Sequence, residues 1–562
     1  MRALHSFIFL FTLILSAQSK YPQDYFISPL DITTILSGTF GELRSNHFHA
    51  GLDIKTKGRE GLNVYATANG YVSRIKISHF GYGKAVYITH PNGYTTVYGH
   101  LQSLSPTLEA YIKKIQYKKE SFEVEIFPEP SELLLKKGEV IALSGNTGGS
   151  GGPHLHFEIR DNQERPINPM LFGLTTKDTK KPNIKSFYAY PLNDTSHVNG
   201  FNSKQKLRLI ALKNGDFKIP EIKAYGEIGF GLESTDRHDL AGNNNGVFKI
   251  ESYLNGLQNF EINFERVSFS ESKHINRFID YPYYKEKKKR IQKVFKDTNN
   301  PLSIFSKEVN NGIITVIDSM SSVYKVTISD FENNKTNINL NIKGSITDSI
   351  KIENTFKSDY LVTRNETTEL TKNNISVTIP KNTFYEDFYM DFKVENNKLT
   401  LHNTQLAASK YFTITYDISE YKDKDLKGLY IARLIGWNNY PSYQSTKRIG
   451  NVLFTKSKTL GTYNLAIDSI NPTIKPINFT DGKWLSKYRF LKLQINDKQT
   501  GIKSYRATVN GKFILMEYDY KKKTLIHDFN DKAVIDTKNN LKVIVIDNVG
   551  NSTTFEATFF RK

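Results

Sequence analysis

Short runs in which every second residue is apolar recur along most of this chain, each bounded by Gly, Asn, Asp or Pro. "LNVYATANGYVSRIKIS" (Leu62–Ser78) holds Asn69-Gly70, and "AVYITHPNGYTTVYGHL" (Ala85–Leu101) holds Asn92-Gly93. A period of two puts successive side chains on opposite faces of a strand, and Asn-Gly between such runs marks a tight hairpin turn. Both Asn-Gly pairs are therefore predicted to turn hairpins. Beyond about residue 180, runs of Thr, Ile, Val, Tyr and Phe continue the pattern, and the 36 Phe and 32 Tyr suit strands. The chain reads as all-β. At 562 residues it is too long for one core and divides into several modules.

The absence of cysteine excludes disulfides, thiolate metal sites and the lipid-carrying cysteine of a lipoprotein. Arg2, the apolar "FIFLFTLIL" (Phe7–Leu15) and the small residues "AQS" (Ala17–Ser19) predict a signal peptide cleaved near Ser19. No later segment approaches eighteen consecutive apolar residues, so a soluble, exported chain without a transmembrane segment is expected. The formal net charge of +19 then points to anionic envelope polymers as neighbours, not to nucleic acid. The densest basic run, Tyr284–Lys296, reads as a solvated helix face or loop.

A lead-in over 20–40 shows no clear period. Residues 41–172 are glycine-rich with short strands, interrupted by an insert over 102–135 that predicts a short helix ("PTLEAYIKKIQYKK") and a strand ("SFEVEIF"). Weak internal repetition follows. "DTKKPNIKSFYAY" (Asp178–Tyr190) resembles "DSINPTIKPINF" (Asp468–Phe479), and "SDFENN" (Ser329–Asn334) resembles "IDNVGN" (Ile546–Asn551). Immunoglobulin-like β-sandwiches are expected over 173–345 and 461–562, with another β-rich module over 346–460. The acidic turns "STDRHD" (Ser234–Asp239) and "DNVGN" could hold calcium, although such loops are usually ordinary Asx turns.

Seven of the thirteen histidines fall between 47 and 156. In "GGPHLHFEIR" a strand would turn His154 and His156 to the same face. In "RSNHFHAGLDI", His49 and Asp53 are four apart and share a face in helix or strand, with Gly51 favouring the extended form and His47 a rival of the same parity. His100 ends the run "YTTVYGHL". His49, Asp53 and one strand histidine would make three protein ligands with an open position, the arrangement of catalytic zinc. The other strand histidine and His100 would then stand beside the metal.

"HAGLD", "YGHL" and "GGPHLHFE", in that order, resemble the lysostaphin/LytM-type zinc endopeptidases, here as a Bacteroidetes-like multidomain member. The resemblance covers about 41–172. It implies a groove-bearing antiparallel β domain, His49, Asp53 and His156 as ligands of one Zn2+, and His100 and His154 as the catalytic non-ligand histidines. It also selects His49 over His47, and it implies peptidoglycan peptide stems as substrate in the periplasm or envelope. A family alternative is a non-catalytic regulator of other wall hydrolases. The insert is longer than usual in this family and is expected to line or cover one end of the groove. The C-terminal β modules are a possible surface for an envelope protein partner.

Overall fold

The computed structural model describes residues 20–347, 349–351, 356–421 and 426–562. The expected signal peptide lies outside the described residues. Among them, no helix is long and apolar enough to cross a membrane. The chain is all-β, with antiparallel pairing dominant throughout.

In chain order the N-terminal strands are β1 (Leu36–Gly38), β2 (Leu52–Lys55), β3 (Asn63–Tyr65), β4 (Gly70–Ile77), β5 (Lys84–Thr89), β6 (Thr95–Gly99) and β7 (Ser103–Leu104). Helix α1 (Pro106–Lys119) follows, then β8 (Val124–Ile126), β9 (Leu134–Leu135), β10 (Val140–Leu143), β11 (His154–Arg160) and β12 (Pro166–Ile167). A nine-stranded sheet runs β1-β2-β11-β6-β5-β4-β8, with β12 on β11 and β9 on β4. Its register sets His154 opposite Lys55 and His156 opposite Asp53 on one side, and His156 opposite Gly99 on the other. The three histidine-bearing motifs therefore meet on three adjacent strands.

One of the two predicted hairpins forms. Asn92-Gly93 turns β5 into β6, with Gly93 at φ +85° and His90 N–H bonded to the Tyr94 carbonyl at 2.9 Å. Asn69-Gly70 does not turn a hairpin: β3 pairs with β10 in a separate three-stranded sheet, and Gly70 opens β4. The chain crosses between sheets through buried Ala66, Thr67 and Ala68, where the Tyr98 hydroxyl accepts the Thr67 N–H at 3.0 Å. Gly70 is needed for a close approach, since a Cβ there would lie 2.4 Å from the Thr89 carbonyl.

The insert forms its expected helix. Pro106 occupies the first turn, where its missing N–H costs nothing, and Leu108, Ile112 and Gln116 bury one face at four-residue spacing. Of "SFEVEIF" only β8 is strand, and it pairs along β4. The lead-in supplies edge strand β1 and the buried Tyr21, Phe26 and Leu30.

Most buried apolar residues of the nine-stranded sheet and of the strands up to Gly344 form one continuous core, in which Phe48 meets Phe264 at 6.0 Å, while Ala85, Tyr87 and Val97 form a small separate cluster. Between Thr368 and Ile467, two five-stranded sheets enclose a second core, with Val377, Ile414 and Tyr463 fully buried. From Thr473 to Phe560, a four-stranded and a five-stranded sheet enclose a third, around Leu491, Leu493, Val543 and Val545. These modules are consistent with immunoglobulin-like sandwiches. The last of them returns to the first domain. Tyr117 of α1 bonds Asp531, and Glu120 pairs with Arg506 at 2.6 Å. Above the glycine-rich loop, Tyr520 donates to the Gly148 carbonyl at 3.3 Å and Lys521 donates to the Ser150 carbonyl at 3.1 Å.

Candidate metal centre

β11 explains why two histidines, a carboxylate and a guanidinium act together. At period two, His154, His156, Glu158 and Arg160 share one face, while Leu155, Phe157 and Ile159 fill the core behind them. His49 lies just ahead of β2 and Asp53 on it.

His49, Asp53 and His156 converge. His49 Nε2 is 3.0 Å from Asp53 Oδ1 and 3.2 Å from His156 Nδ1, and His156 Nδ1 is 2.9 Å from Asp53 Oδ1. Each group's other polar atom is already engaged. His49 Nδ1 donates to the Thr39 carbonyl at 2.7 Å, His156 Nε2 donates to Glu158 Oε1 at 2.8 Å, and Arg44 donates to Asp53 Oδ2 at 3.2 Å. A carbonyl and an ionised carboxylate only accept, so the two imidazoles turn lone pairs toward each other and toward the Asp53 oxygen. Three electron-pair donors facing one point need a proton or a cation between them. Their spacing is close to the ~3.3 Å that tetrahedral bonds of ~2.0–2.1 Å produce, and the donor types suit zinc.

Electrostatics agree with that reading. Burial pushes the Asp53 carboxyl up, but His49, His154 and His156 together hold it well below the usual range. Burial also works against a charged His156, yet its bonds to Asp53 and Glu158 raise it to about 9 in the metal-free chain. Glu158, fully buried, is held down to about 2 against its burial by Arg160 at 2.7 Å and by His156.

The other two predicted site residues stand beside this cluster. His154 Nε2 is 3.4 Å from Asp53 Oδ1, while its Nδ1 donates to the Gly152 carbonyl at 2.8 Å. The His100 ring is 4.7 Å from that of His154, and its Nδ1 donates to the Thr147 carbonyl at 2.8 Å. His47 stays outside, bonded to the Ser45 carbonyl. The loop "GNTGGSGG" thus orients both non-cluster histidines through its own carbonyls. Two of its glycines are forced by close approach: a Cβ on Gly145 would meet Gln102 N at 2.4 Å, and Gly148, at φ +67°, would meet Gly83 N at 2.3 Å.

Four participants were not singled out from the sequence. Glu158 and Arg160 continue the parity of "HLH", which is the signal that would have found them. Tyr82 stacks on His156 at 4.9 Å and bonds Glu158 through its hydroxyl. Arg44 holds the outer oxygen of Asp53.

Comparison with known proteins matches the sequence that carries this site to a family model. The sequence model of peptidase family M23 matches residues 47–117 and 132–169, and that of a Zu5-like domain matches 359–468. The chain is 33% identical over 168 residues to a DD-carboxypeptidase/endopeptidase of Neisseria meningitidis serogroup B, covering 29% of this chain and 32% of that protein. It is 29% identical over 157 residues to the peptidoglycan DD-endopeptidase ShyB of Vibrio cholerae, covering 28% and 30%. The cell division protein DipM of Caulobacter vibrioides is 25% identical over 138 residues, covering 24% and 19%. The match therefore spans about a third or less of these relatives. Among solved structures, a zinc-containing peptidase from Vibrio cholerae is similar over 27% of this chain and 40% of that one, at 26% identity and a TM-score of 0.20. With motif order and strand placement in agreement, the chain carries, over residues 47–117 and 132–169, a LytM-type domain of peptidase family M23.

Proposed function

We propose that this chain is an exported, zinc-dependent endopeptidase that hydrolyses peptide cross-links of peptidoglycan in the periplasm or cell envelope. The observation that carries the reading is the convergence of His49 Nε2, Asp53 Oδ1 and His156 Nδ1, each backed by an engaged partner atom, beside two further imidazoles. These three residues would hold one zinc ion, which would supply Lewis acidity for acidifying water and polarising a carbonyl. The names of the relatives, DD-endopeptidases of peptidoglycan, favour cross-links between D-alanine and a diamino acid over glycine bridges. The C-terminal β modules are the proposed surface for an envelope partner.

His100 is the second non-ligand imidazole of the centre, its ring 4.7 Å from that of His154. Burial, then the neighbouring His156 and His154, push it down to about 3, so it is neutral at physiological pH. With Nδ1–H on the Thr147 carbonyl, its Nε2 carries a lone pair. With Nδ1–H on the Gly152 carbonyl, neutral His154 presents an Nε2 lone pair on the Asp53 side, and on taking up a proton it gains there the N–H that serves a developing oxyanion and then the departing amine. All five positions are filled, which supports an enzyme over a non-catalytic regulator.

Digestion of purified sacculi should release cross-link fragments, and a zinc chelator should stop it. Chelator-insensitive release, or none, would sink the proposal. His154→Ala should keep its zinc and lose roughly 10²–10⁴-fold in kcat. A variant that kept wild-type kcat would remove His154 from the mechanism.

Proton and metal compete at His156. Because its metal-free value is about 9, apparent zinc affinity should rise with pH up to about 9 and level off above it. Competition titrations between about pH 6 and 9 measure the slope, and a flat profile would contradict it.

A further inference from the structure

A second group of ligand-type side chains lies in the stretch after the peptidase domain whose strands share its core. We propose that Asp178, Asp236 and His238 hold a divalent cation there, in a site separate from the histidine centre. Ligand atoms of the three lie within 4.8 Å of one another. His238 Nε2 is 3.5 Å from Asp236 Oδ2 and 3.8 Å from Asp178 Oδ2, too far for hydrogen bonds and suited to a shared ion. The His238 ring is oriented by Thr176 Oγ1, 3.1 Å from its Nδ1.

Each carboxylate keeps one buried oxygen without a partner. Asp236 is 1% exposed and the Asp178 side chain 2%, yet Asp236 Oδ1 and Asp178 Oδ2 accept no hydrogen bond. A buried carboxylate oxygen left without a donor is costly, and buried charge is usually paired or bound to metal. Lys180 makes no ion pair with either carboxylate: its Nζ donates to the carbonyls of His238 and Asp239, and only its backbone N–H reaches Asp178, at Oδ1 and 3.1 Å. Burial, followed by the charges of Asp178 and Asp330, accordingly pushes Asp236 up to about 8.

The internal repeat supplies a control within the same chain. Asn334 bridges Asp330 Oδ2 at 2.8 Å and the Asp178 carbonyl at 3.3 Å, and Asn551 bridges Asp547 Oδ2 at 2.8 Å and the Asp468 carbonyl at 2.9 Å. The two modules thus share one frame, in which Asp468, Asp497 and Asp547 also cluster. In the C-terminal copy donors of the chain close the cluster. Thr500 Oγ1 donates to Asp468 Oδ2 at 2.8 Å, and the N–H groups of Gln499, Thr500 and Gly501 all reach Asp497 Oδ1. In the first copy fewer donors reach the acids, the Lys180 N–H on Asp178 Oδ1 and the Arg237 backbone on Asp236, so one oxygen of each stays unpartnered and an imidazole faces the acids instead. One nitrogen with carboxylate oxygens suits Zn2+ or Mn2+.

The site would order the loop beyond Asp236. That loop ends at Gly246, whose N–H donates to Thr39 Oγ1 at 3.1 Å, and the Thr39 carbonyl orients His49.

The test is a metal count by mass spectrometry after equilibration with Zn2+ or Mn2+, on full-length wild type, His156→Ala, Asp236→Asn, His238→Ala and Asp497→Asn. His156→Ala should retain one tightly bound ion and lose it when combined with Asp236→Asn or His238→Ala. Asp497→Asn should match wild type. The same ion should raise the melting temperature of His156→Ala and leave that of the double variants unchanged. Asp236→Asn keeps the side-chain shape and removes a buried charge, so it should fold. No ion on His156→Ala, or an ion that survives both double variants, would overturn the proposal while leaving the peptidase reading intact.

Discussion

His156→Ala is expected to leave the peptidase centre without metal and cleavage of sacculi below detection. His156 is the residue through which the centre is assembled: Nδ1 lies 2.9 Å from Asp53 and 3.2 Å from His49, and Nε2 anchors on Glu158. Removing it takes away one of three donors and leaves the Asp53 oxygen facing only His49 and His154. The loss of zinc affinity should exceed the roughly 10–100-fold that follows removal of an outer partner. His154→Ala contrasts with it, because zinc stays while kcat falls, and the pair of variants separates ligand from proton carrier. Near-normal zinc binding by the His156→Ala peptidase centre, read as chelator-sensitive cleavage, would remove His156 from the ligand set.

Much of this centre was legible because strands convert sequence parity into geometry. "HLH" places two imidazoles on one face wherever it is strand, and motif order brought His49, Asp53 and His100 to the same site. Helix α1 was legible from Pro106 and the four-residue spacing of its buried face. Asn69-Gly70 misled because a turn signal is local, whereas β3 is drawn to β10 by pairing some seventy-five residues away, as Val140 opposite Tyr65 shows. The carbonyls of Thr39, Thr147 and Gly152, which set three histidine tautomers, carry no side-chain signature at all. Equally silent was the return of Tyr520 and Lys521 onto the loop at Gly148 and Ser150, a contact made across more than three hundred residues. Asp236 was readable in an acidic turn and Asp178 at the start of an internal repeat, but the unpartnered oxygens that distinguish them from Asp468 and Asp497 appear only in three dimensions.

Glu158→Gln should cost both stability and metal, although Gln nearly preserves its shape. Glu158 has no exposed surface and collects His156 Nε2, Arg160 Nε at 2.7 Å and the Tyr82 hydroxyl. Breaking a buried pair leaves the other charge uncompensated, a loss of about 3–5 kcal/mol. Arg160 retains Glu164 at 2.8 Å, which places the expected loss near ~3 kcal/mol. The amide also withdraws the negative charge that anchors the His156 ring, so zinc affinity should fall about 10–100-fold. The pH dependence identifies the cause. Glu158 sits near 2 in the fold, below its unfolded value, so its contribution is complete above the ordinary carboxylate range and is lost as pH falls through about 2. His156 is raised to about 9, so in the metal-free chain its contribution is complete below the ordinary histidine range and is lost as pH rises through about 9. Chelator-treated wild type should therefore lose stability in urea between about pH 6.5 and 9, and Glu158→Gln should show a shallower loss because one of the two bonds that raise His156 has lost its charge. Zinc-loaded wild type should lack this loss, since the ion replaces the proton. Equal slopes for the metal-free wild type and Glu158→Gln would show that Glu158 does not hold the His156 proton.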